Sequence, residues 1–282
     1  MRLTNKYNYP EAFVLIAQHH MYELKAGRIG VTQLIKSPQI RRLMLEHWDE
    51  IVLDVDDMFN AIVGTCFHKG LEKNVPPGKK AEQKWEANIA GLTLVGKADL
   101  SNGGIEDYKL TSVWSWVFGD ESAWAEQLNV LNWLRIQSGE KPAEFLRIHC
   151  FFKDWSAFKA MDKSYPQARY IGQDVPIWDL DVTRDFINKR IGLHNDPSYT
   201  CTDEDKWIKL EKWAVKHQGK DKADRLLDTA AEASEYIMMR KWENDYAKGN
   251  VYIEQRKTQP KNCEQYCSAR SVCPYARSLV CG

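Results

Sequence analysis

The hydrophobic pattern changes period repeatedly between residues 56 and 152, and this restricts the possible fold more than any other feature. Apolar residues recur at helical spacing over 56–73 and again over 120–138. Between these segments, 92–95 and 105–110 are strand-like and flank the turn sequence Ser-Asn-Gly-Gly, as in a β-hairpin. A further strand, 145–152, is apolar on both faces, so we expect it at the centre of a sheet. The order helix, hairpin, helix, strand predicts an α/β fold.

The rest of the chain is expected to add helices around this core. Residues 8–28 and the segment after Ser37-Pro38 have helical spacing. Residues 175–180 are a strand candidate, 182–193 a helix candidate, and 220–246 one long amphipathic helix. No repeat or linker divides the sequence, so we expect a single domain with a helical N-terminal part, a core, a mixed region and a Cys-rich tail (1–55, 56–155, 156–255 and 256–282).

Composition excludes several classes of protein. With 44% hydrophobic and 11% aromatic residues, most of the chain is expected to fold rather than stay disordered. No stretch reaches the roughly 18 uncharged apolar residues that a membrane span needs. The N-terminal sequence has no apolar signal-peptide segment, so we expect a cytoplasmic protein without a membrane partner.

Charge is balanced overall but unevenly distributed. Lys and Arg together number 39, as do Asp and Glu, whereas proteins that coat nucleic acids are usually basic. Residues 206–282 contain 15 basic and 10 acidic residues, a net charge of +5. Because the whole chain is neutral, residues 1–205 carry a net charge of −5. An acidic region beside a basic one suits a metal site that handles a phosphate backbone, and it equally suits an ordinary solvated surface.

Three short segments carry residues suited to metal chemistry. His68 and Glu72 lie four apart on a predicted helix and share one face, with Gly64 one turn earlier leaving room for a close neighbour. A single His on a helix is more often structural. Asp99 and Asp107 flank the hairpin turn symmetrically, so they should lie close together.

Close carboxylates repel each other unless a cation lies between them, and a hard divalent ion meets that need. Lys109 shares a face with Asp107 and could hold a water or neutralise developing negative charge. The alternative is an exposed hairpin with Asp and Lys on its polar face. Gln127 lies among apolar residues of the following helix, which also suits a boundary position.

The ordered set resembles the RecB-like branch of the PD-(D/E)XK nuclease superfamily, in particular its phage exonucleases and CRISPR-associated nucleases. That pattern has a helix with G-x-x-x-H-x-x-x-E, a strand ending in G-x-x-D, a strand with (D/E)-x-K, and a helix with Q-x-x-x-Y. The matching residues are Gly64, His68 and Glu72; Gly96 and Asp99; Asp107, Tyr108 and Lys109; and Gln127. Leu131 stands where the family has Tyr. The resemblance covers residues 56–155.

The resemblance implies a restriction-endonuclease-like core, with a small mixed sheet flanked by helices, and a metal-dependent DNA exonuclease. His68, Asp99, Asp107 and the Tyr108 carbonyl would bind Mg²⁺ or Mn²⁺, and the imidazole would favour tolerance of Mn²⁺. Lys109 would position or activate the attacking water. The further roles implied are that Gln127 orients the water or a phosphate, and that Glu72 supports the metal ligands. The partner would be DNA, cut to leave a 5′-phosphate in phage recombination, replication or degradation.

Four of the seven cysteines crowd the C-terminus. The odd total argues against a disulfide framework. Their spacing suits free thiols in a disordered tail, a structural zinc or an iron–sulfur cluster. The RecB-like branch often holds a [4Fe–4S] cluster on three C-terminal cysteines and one upstream, but no Cys precedes Cys66 here. Candidate ligands are Cys263, Cys267, Cys273 and Cys281.

Two other functions stay open at this point. A non-catalytic nucleic-acid-binding module could use the metal-bound Cys tail as its working part. A structure-specific endonuclease could use the same Asp99 and Asp107 site. The sequence gives no indication of whether a recombinase or helicase partner is needed.

Overall fold

The computed structural model describes residues 1–21, 24–117 and 122–280. The chain divides into two compact units: Met1–Thr200 with Ser268–Arg277, and Cys201–Cys267 with the chain from Ser278 onward. Both units combine helices with strands, which confirms the α/β class. The division at residue 200 falls inside the predicted mixed region.

The larger unit contains most of the secondary structure. Its elements in chain order are β1 (Arg2–Thr4), α1 (Glu11–His20), β2 (Arg28–Gly30), α2 (Val31–Ile35), α3 (Pro38–Glu46), β3 (Val52–Asp54), α4 (Phe59–Glu72), β4 (Lys80–Ile89), β5 (Leu92–Asn102), β6 (Gly104–Thr111), α5 (Val113–Val117), α6 (Ser122–Gln137), β7 (Leu146–Phe152), β8 (Tyr170–Val175) and α7 (Leu180–Asn195). The predicted hairpin and the helices and strand around it are confirmed.

The central sheet of the larger unit is mixed. Its strands follow the order β2-β5-β6-β7-β8, and β4 also pairs with β5. Strand β7 runs parallel to β6 and antiparallel to β8. It is therefore enclosed on both edges, which confirms the central position predicted for residues 145–152. Strand β5 is antiparallel to both β4 and β6 and parallel to β2.

Helix α6 packs closely on the sheet because β5 has a glycine at the contact. Gly96 lies under Leu131 and Leu134, and both leucines are buried. A Cβ atom at this position would lie 2.9 Å from Leu134 and Val31 and closer still to Leu131. The missing side chain lets α6 approach β5 three residues before Asp99, and this fixes the helix that carries Gln127 against the hairpin.

The smaller unit is a three-stranded antiparallel sheet covered by a helix. Its elements are β9 (Leu210–His217), β10 (Arg225–Leu227), α8 (Ala230–Met239), α9 (Glu243–Ala247) and β11 (Val251–Lys257), in the strand order β10-β9-β11. Val215, Ala233, Ile237 and Val251 form its core. The last helix, α10, spans Pro274–Val280.

Three predicted elements are wrong in extent. The predicted helix 8–28 ends at His20, and Arg28 begins a strand; residues 22–23 lie outside the described part of the chain. The strand predicted over 175–180 is wrong: the strand is Tyr170–Val175, and it ends there because Pro176 has no N–H with which to continue the ladder.

The predicted long helix 220–246 is a strand followed by two helices. The Thr229 hydroxyl accepts from the Glu232 N–H, and the Glu232 carboxylate accepts from the Thr229 N–H. This capping box starts helix α8 at Ala230 and leaves Arg225–Leu227 to pair with β9. Across the described residues, no helix combines the length and apolar character that crossing a membrane requires.

Candidate functional site

The β5–β6 hairpin opens at the two aspartates. The strands pair only from Leu100 with Glu106 to Asn102 with Gly104. Asp99 and Asp107 would form the next pair, but the ladder stops before them. Instead, the Tyr108 N–H donates to Asp99 Oδ2 at 2.8 Å. The two carboxylates therefore lie at the point where the strands separate.

Asp107 lies in a buried triangle with Lys109 and Gln127. Its side chain Oδ2 is 2.7 Å from Lys109 Nζ, and its Oδ1 accepts from Gln127 Nε2 at 2.9 Å. Lys109 Nζ donates to Gln127 Oε1 at 3.0 Å, which closes the triangle. Asp107 is only 4% exposed. Asp107 Oδ2 meets the Lys109 ammonium as a close ion pair that lacks the angles of a hydrogen bond.

His68 contacts the other carboxylate. Its Nδ1 lies 3.3 Å from Asp99 Oδ2. It reaches this position from α4, where the Phe67 ring beside it packs edge-on against Phe151 of the sheet. His68 and the Tyr108 N–H thus approach the same oxygen of Asp99.

The two carboxyl groups differ in their ease of ionisation. Burial raises the pKa of Asp107, against the opposing effect of Lys109. Burial also opposes ionisation of Asp99, but hydrogen bonds from His68 and the Tyr108 N–H hold the pKa of Asp99 below its ordinary value. The hydrogen bond to Asp99 in turn raises the pKa of His68. Two neighbouring carboxyl groups with pKa values shifted in opposite directions are typical of a site with chemical function.

Five of the predicted site residues line one open cavity. It has a volume of about 660 Å³ and is lined by His68, Asp99, Asp107, Lys109 and Gln127. Four further basic side chains also line it: Lys25, Arg28, Lys84 and Lys97. The combination of an acidic centre with basic walls suits a ligand that carries several negative charges and meets a cation at one point.

The predicted metal ligands are only partly brought together. Within residues 1–21, 24–117 and 122–280, no three His, Cys, Asp or Glu side chains converge as a metal-binding group. His68 and Asp99 contact each other, whereas Asp107 turns toward Lys109 and Gln127. The donors themselves are suited to a hard cation, because they are two carboxylates and an imidazole around one cavity.

Glu72 and Gly64 occupy different surroundings from those expected of them. Glu72 lines a small pocket with His68 and Asp99, but its carboxylate forms an ion pair with Lys69 at 2.6 Å. The expectation of a close neighbour at Gly64 is wrong, because a Cβ there meets no atom of the described structure within 4 Å. This part of α4 does not pack tightly enough to require glycine.

Glu82 is a site residue that the sequence did not indicate. It lies on β4 between Ala81, which pairs with Leu100, and Gln83, which pairs with Ala98, and the ladder is interrupted at Glu82 and Asp99. Its φ of 54° is in the left-handed region, which is unusual for Glu. The side chain pairs with Lys97 and lines the small pocket beside Asp99. No pattern in a strand sequence reveals such a local reversal of the backbone.

The C-terminal cysteines are distributed over both units. Cys263 and Cys267 belong to the smaller unit and Cys273 to the larger one. Cys267 and Cys273 are buried, and Cys263 is half-buried. Cys281 lies outside the described residues. An iron–sulfur or zinc site on these residues stays a prediction.

Comparison with known proteins adds little to this geometry. The sequence matches no family model. It also matches no curated protein. Among solved structures, the chain is similar to one described as the crystal structure of SSO0001, with 19% sequence identity over 70% of this chain and 89% of that chain, at a TM-score of 0.48.

Proposed function

We propose that the cavity around Asp99 and Asp107 is the active centre of a metal-dependent DNA exonuclease with a PD-(D/E)XK-type core. The observation that carries this proposal is the state of Asp107. Its carboxylate is buried and held by Gln127 and the close Lys109 ammonium, and burial raises its pKa in spite of that ammonium. The Lys109 ammonium thus compensates the buried charge only in part, and a divalent cation at this carboxylate would stabilise its charged form further.

The residues that would hold the cation are His68, Asp99, Asp107 and the main-chain carbonyl of Tyr108. Oxygen donors with one imidazole suit Mg²⁺ or Mn²⁺. When bound, such a cation stabilises the charge of a phosphate in the transition state and makes a water more acidic. Without a bound cation, His68 partly compensates the charge of Asp99, because its Nδ1 lies 3.3 Å from Asp99 Oδ2.

Lys109 is the residue best suited to hold the attacking water. An ammonium group has three donors. One donates to Gln127 Oε1, and Asp107 accounts for a second by its close ion pair. The third is available to a water or to a phosphate oxygen, and the side chain is 24% exposed toward solvent. Gln127 fixes the direction of the ammonium because it contacts both partners of the ion pair.

A nuclease assay with linear and circular DNA tests the proposal. Linear single- and double-stranded DNA should be degraded with Mg²⁺ or Mn²⁺ and left intact with a chelator, while covalently closed circles resist. Nicking of circles would identify an endonuclease on the same site. Binding without cleavage in both metals would overturn hydrolysis and leave a nucleic-acid-binding module.

Matched variants assign the activity to this cavity. Asp99→Asn and Lys109→Met should each lower the rate by about 10²-fold or more, because each removes a charge on which the transition state depends. Asp174→Asn is the control. Asp174 lies on the edge strand β8, forms an ion pair with Arg147 of β7, and does not line the cavity. Equal rates for the control and the two site variants would contradict the assignment.

A further inference from the structure

Two cations on the cavity wall share one carboxylate oxygen. Arg28 Nη2 lies 3.2 Å from Glu86 Oε2, and Lys84 Nζ lies 3.6 Å from the same atom. Arg28 is on β2 and Glu86 on β4, and these strands pair with opposite edges of β5. The three side chains therefore meet across β5. Arg28 and Lys84 both line the cavity that contains Asp99 and Asp107.

From this arrangement we propose that Arg28 and Lys84 form a clamp for a backbone phosphate of the DNA strand, and that Glu86 occupies the clamp until the strand displaces it. This inference deepens the proposed function, on which it rests, by naming the residues that hold the substrate beside the reacting bond. An oxygen held between two cations marks a position that a phosphate oxygen can take. Arg in particular matches phosphate with paired hydrogen bonds.

Displacement of Glu86 is easy because the ion pairs are exposed. Arg28 is 41% exposed at its side chain, Lys84 is 55% exposed and Glu86 is 54% exposed. Ion pairs at such positions contribute little to stability, since water and salt screen them and the long side chains lose entropy when held. A phosphate that reaches the clamp therefore replaces a weak partner, and counterions are released from the DNA in the exchange.

Two other basic residues of the cavity lining, Lys97 and Lys109, each have an acidic partner of their own. Lys97 pairs with Glu82 beside Asp99, and Lys109 belongs to the triangle with Asp107. Neither shares an acidic partner with another cation as Arg28 and Lys84 do. The clamp is thus the part of the cavity wall arranged to release two positive charges at once.

The size of the cavity indicates that the clamp holds single-stranded DNA rather than a duplex. A volume of about 660 Å³ is in the range of pockets that enclose small ligands. A duplex is too wide to enter such a pocket, because its major groove alone, at about 12 Å, is wider than a compact cavity of this volume. A single strand, present as an end or a frayed terminus, is the form of DNA that can bring its phosphates to Arg28 and Lys84.

The test measures binding of a fluorescein-labelled single-stranded oligothymidylate to the full chain in EDTA across a range of salt concentrations. Arg28→Gln and Lys84→Gln should each weaken binding about fivefold at roughly 0.1 M salt, and each should reduce the slope of log affinity against log salt by about 0.7. Glu86→Gln should tighten binding, because it frees both cations. The two cation variants lie on different strands, so a folding defect in one leaves the other as a test.

The ion pair between Arg147 and Asp174 supplies matched controls. Arg147 is 42% exposed, and the pair lies on β7 and β8 outside the cavity lining. Arg147→Gln and Asp174→Asn should leave affinity unchanged. The clamp is overturned if Arg147→Gln weakens binding as much as Arg28→Gln does, or if Glu86→Gln binds no tighter than the wild type. Equal affinity for a blunt duplex would overturn the assignment to a single strand.

Because binding is measured without metal, the two proposals fail separately. If the variants show binding through the clamp but no DNA is cut when metal is present, the hydrolase assignment is overturned and the clamp stands. If the wild type degrades DNA but the Arg28→Gln and Lys84→Gln variants bind the oligonucleotide as tightly as the wild type does, the hydrolase assignment stands and the clamp is overturned.

Discussion

Gln127 and Asp107 are joined by a hydrogen bond of 2.9 Å from the side-chain amide to Oδ1. The donor comes from helix α6 and the acceptor from strand β6, so this bond fixes the carboxylate relative to the helix. The same amide accepts from Lys109 at 3.0 Å. Gln127 therefore sets the orientation of both charged residues through one planar group.

Gln127→Met is expected to damage both stability and activity. The change leaves a buried oxygen of Asp107 without its donor, which should lower the free energy of unfolding by about 1–3 kcal/mol. If Asp107 binds metal as proposed, loss of the group that orients it should lower the cleavage rate roughly 10–100-fold. Urea unfolding and the nuclease assay measure the two effects. Gln137→Met, at the exposed end of the same helix, is the control and should change stability by less than about 0.5 kcal/mol.

Asp107→Asn is expected to separate stability from function. Burial raises the pKa of Asp107, which means that the charged form is disfavoured in the folded protein without a cation. The folded state therefore loses stability as the pH rises above the ordinary pKa of this carboxyl. An uncharged amide of the same shape should raise the stability of the metal-free protein at neutral pH by about 0.5–2 kcal/mol and abolish cleavage. A lower thermal midpoint in chelator would contradict this.

Gly96→Ala is expected to push α6 away from the hairpin. The added methyl would lie 2.9 Å from the side chains of Leu134 and Val31, both of which are buried. Overpacking of this kind costs about 1–3 kcal/mol. Gly192→Ala, in α7 and with no described atom within 4 Å of the new methyl, should instead gain about 0.5–1 kcal/mol from helix propensity. Denaturant unfolding of both variants measures the contrast, and equal effects would refute it.

His194 is expected to make the larger unit sensitive to mild acid. Burial lowers the pKa of His194 to about 4. The unfolded chain takes up its proton near pH 6.5, whereas the folded protein keeps the ring neutral, so stability falls as the pH drops from about 6.5 toward 4. The loss should be roughly 1–2 kcal/mol, after discounting for the part of the ring that water reaches.

His194→Gln should remove this part of the pH dependence while keeping a donor for the Leu34 carbonyl, which Nε2 of His194 contacts at 3.0 Å. His19→Gln, at an exposed position of α1, is the control. Urea unfolding at a series of pH values gives the difference between each variant and the wild type. A difference that does not change between pH 7 and pH 5 would disprove the role of His194.

Local patterns predicted the hairpin and its neighbours well. The turn at Asn102 and Gly103 has a strong sequence signal, and it fixes Asp99 and Asp107 at facing positions of the register. The central position of 145–152 followed from its apolar residues on both faces. These features depend on residues close in sequence or on a simple count of apolar faces, and for that reason sequence sufficed.

Contacts between distant segments were not predictable in the same way. The approach of Glu82 to Asp99 depends on a backbone reversal at one residue of a regular-looking strand. The meeting of Arg28 with Lys84 and Glu86 depends on which strands adjoin β5, and β2 is only three residues long. The helix predicted over 220–246 failed because a capping box outweighed a continuous amphipathic pattern. In each case a tertiary or capping interaction overrode the local preference.

The opening of the hairpin also bears on how the protein reaches its native state. Asp99, Asp107 and Lys109 come from one short turn of chain, whose closure takes on the order of 10–100 ns and costs little loop entropy. Gln127 arrives only when α6 docks over Gly96. During refolding we expect Asp99, Asp107 and Lys109 to come together before Gln127 joins them, so recovery of the proposed nuclease activity should follow docking of α6 rather than closure of the hairpin.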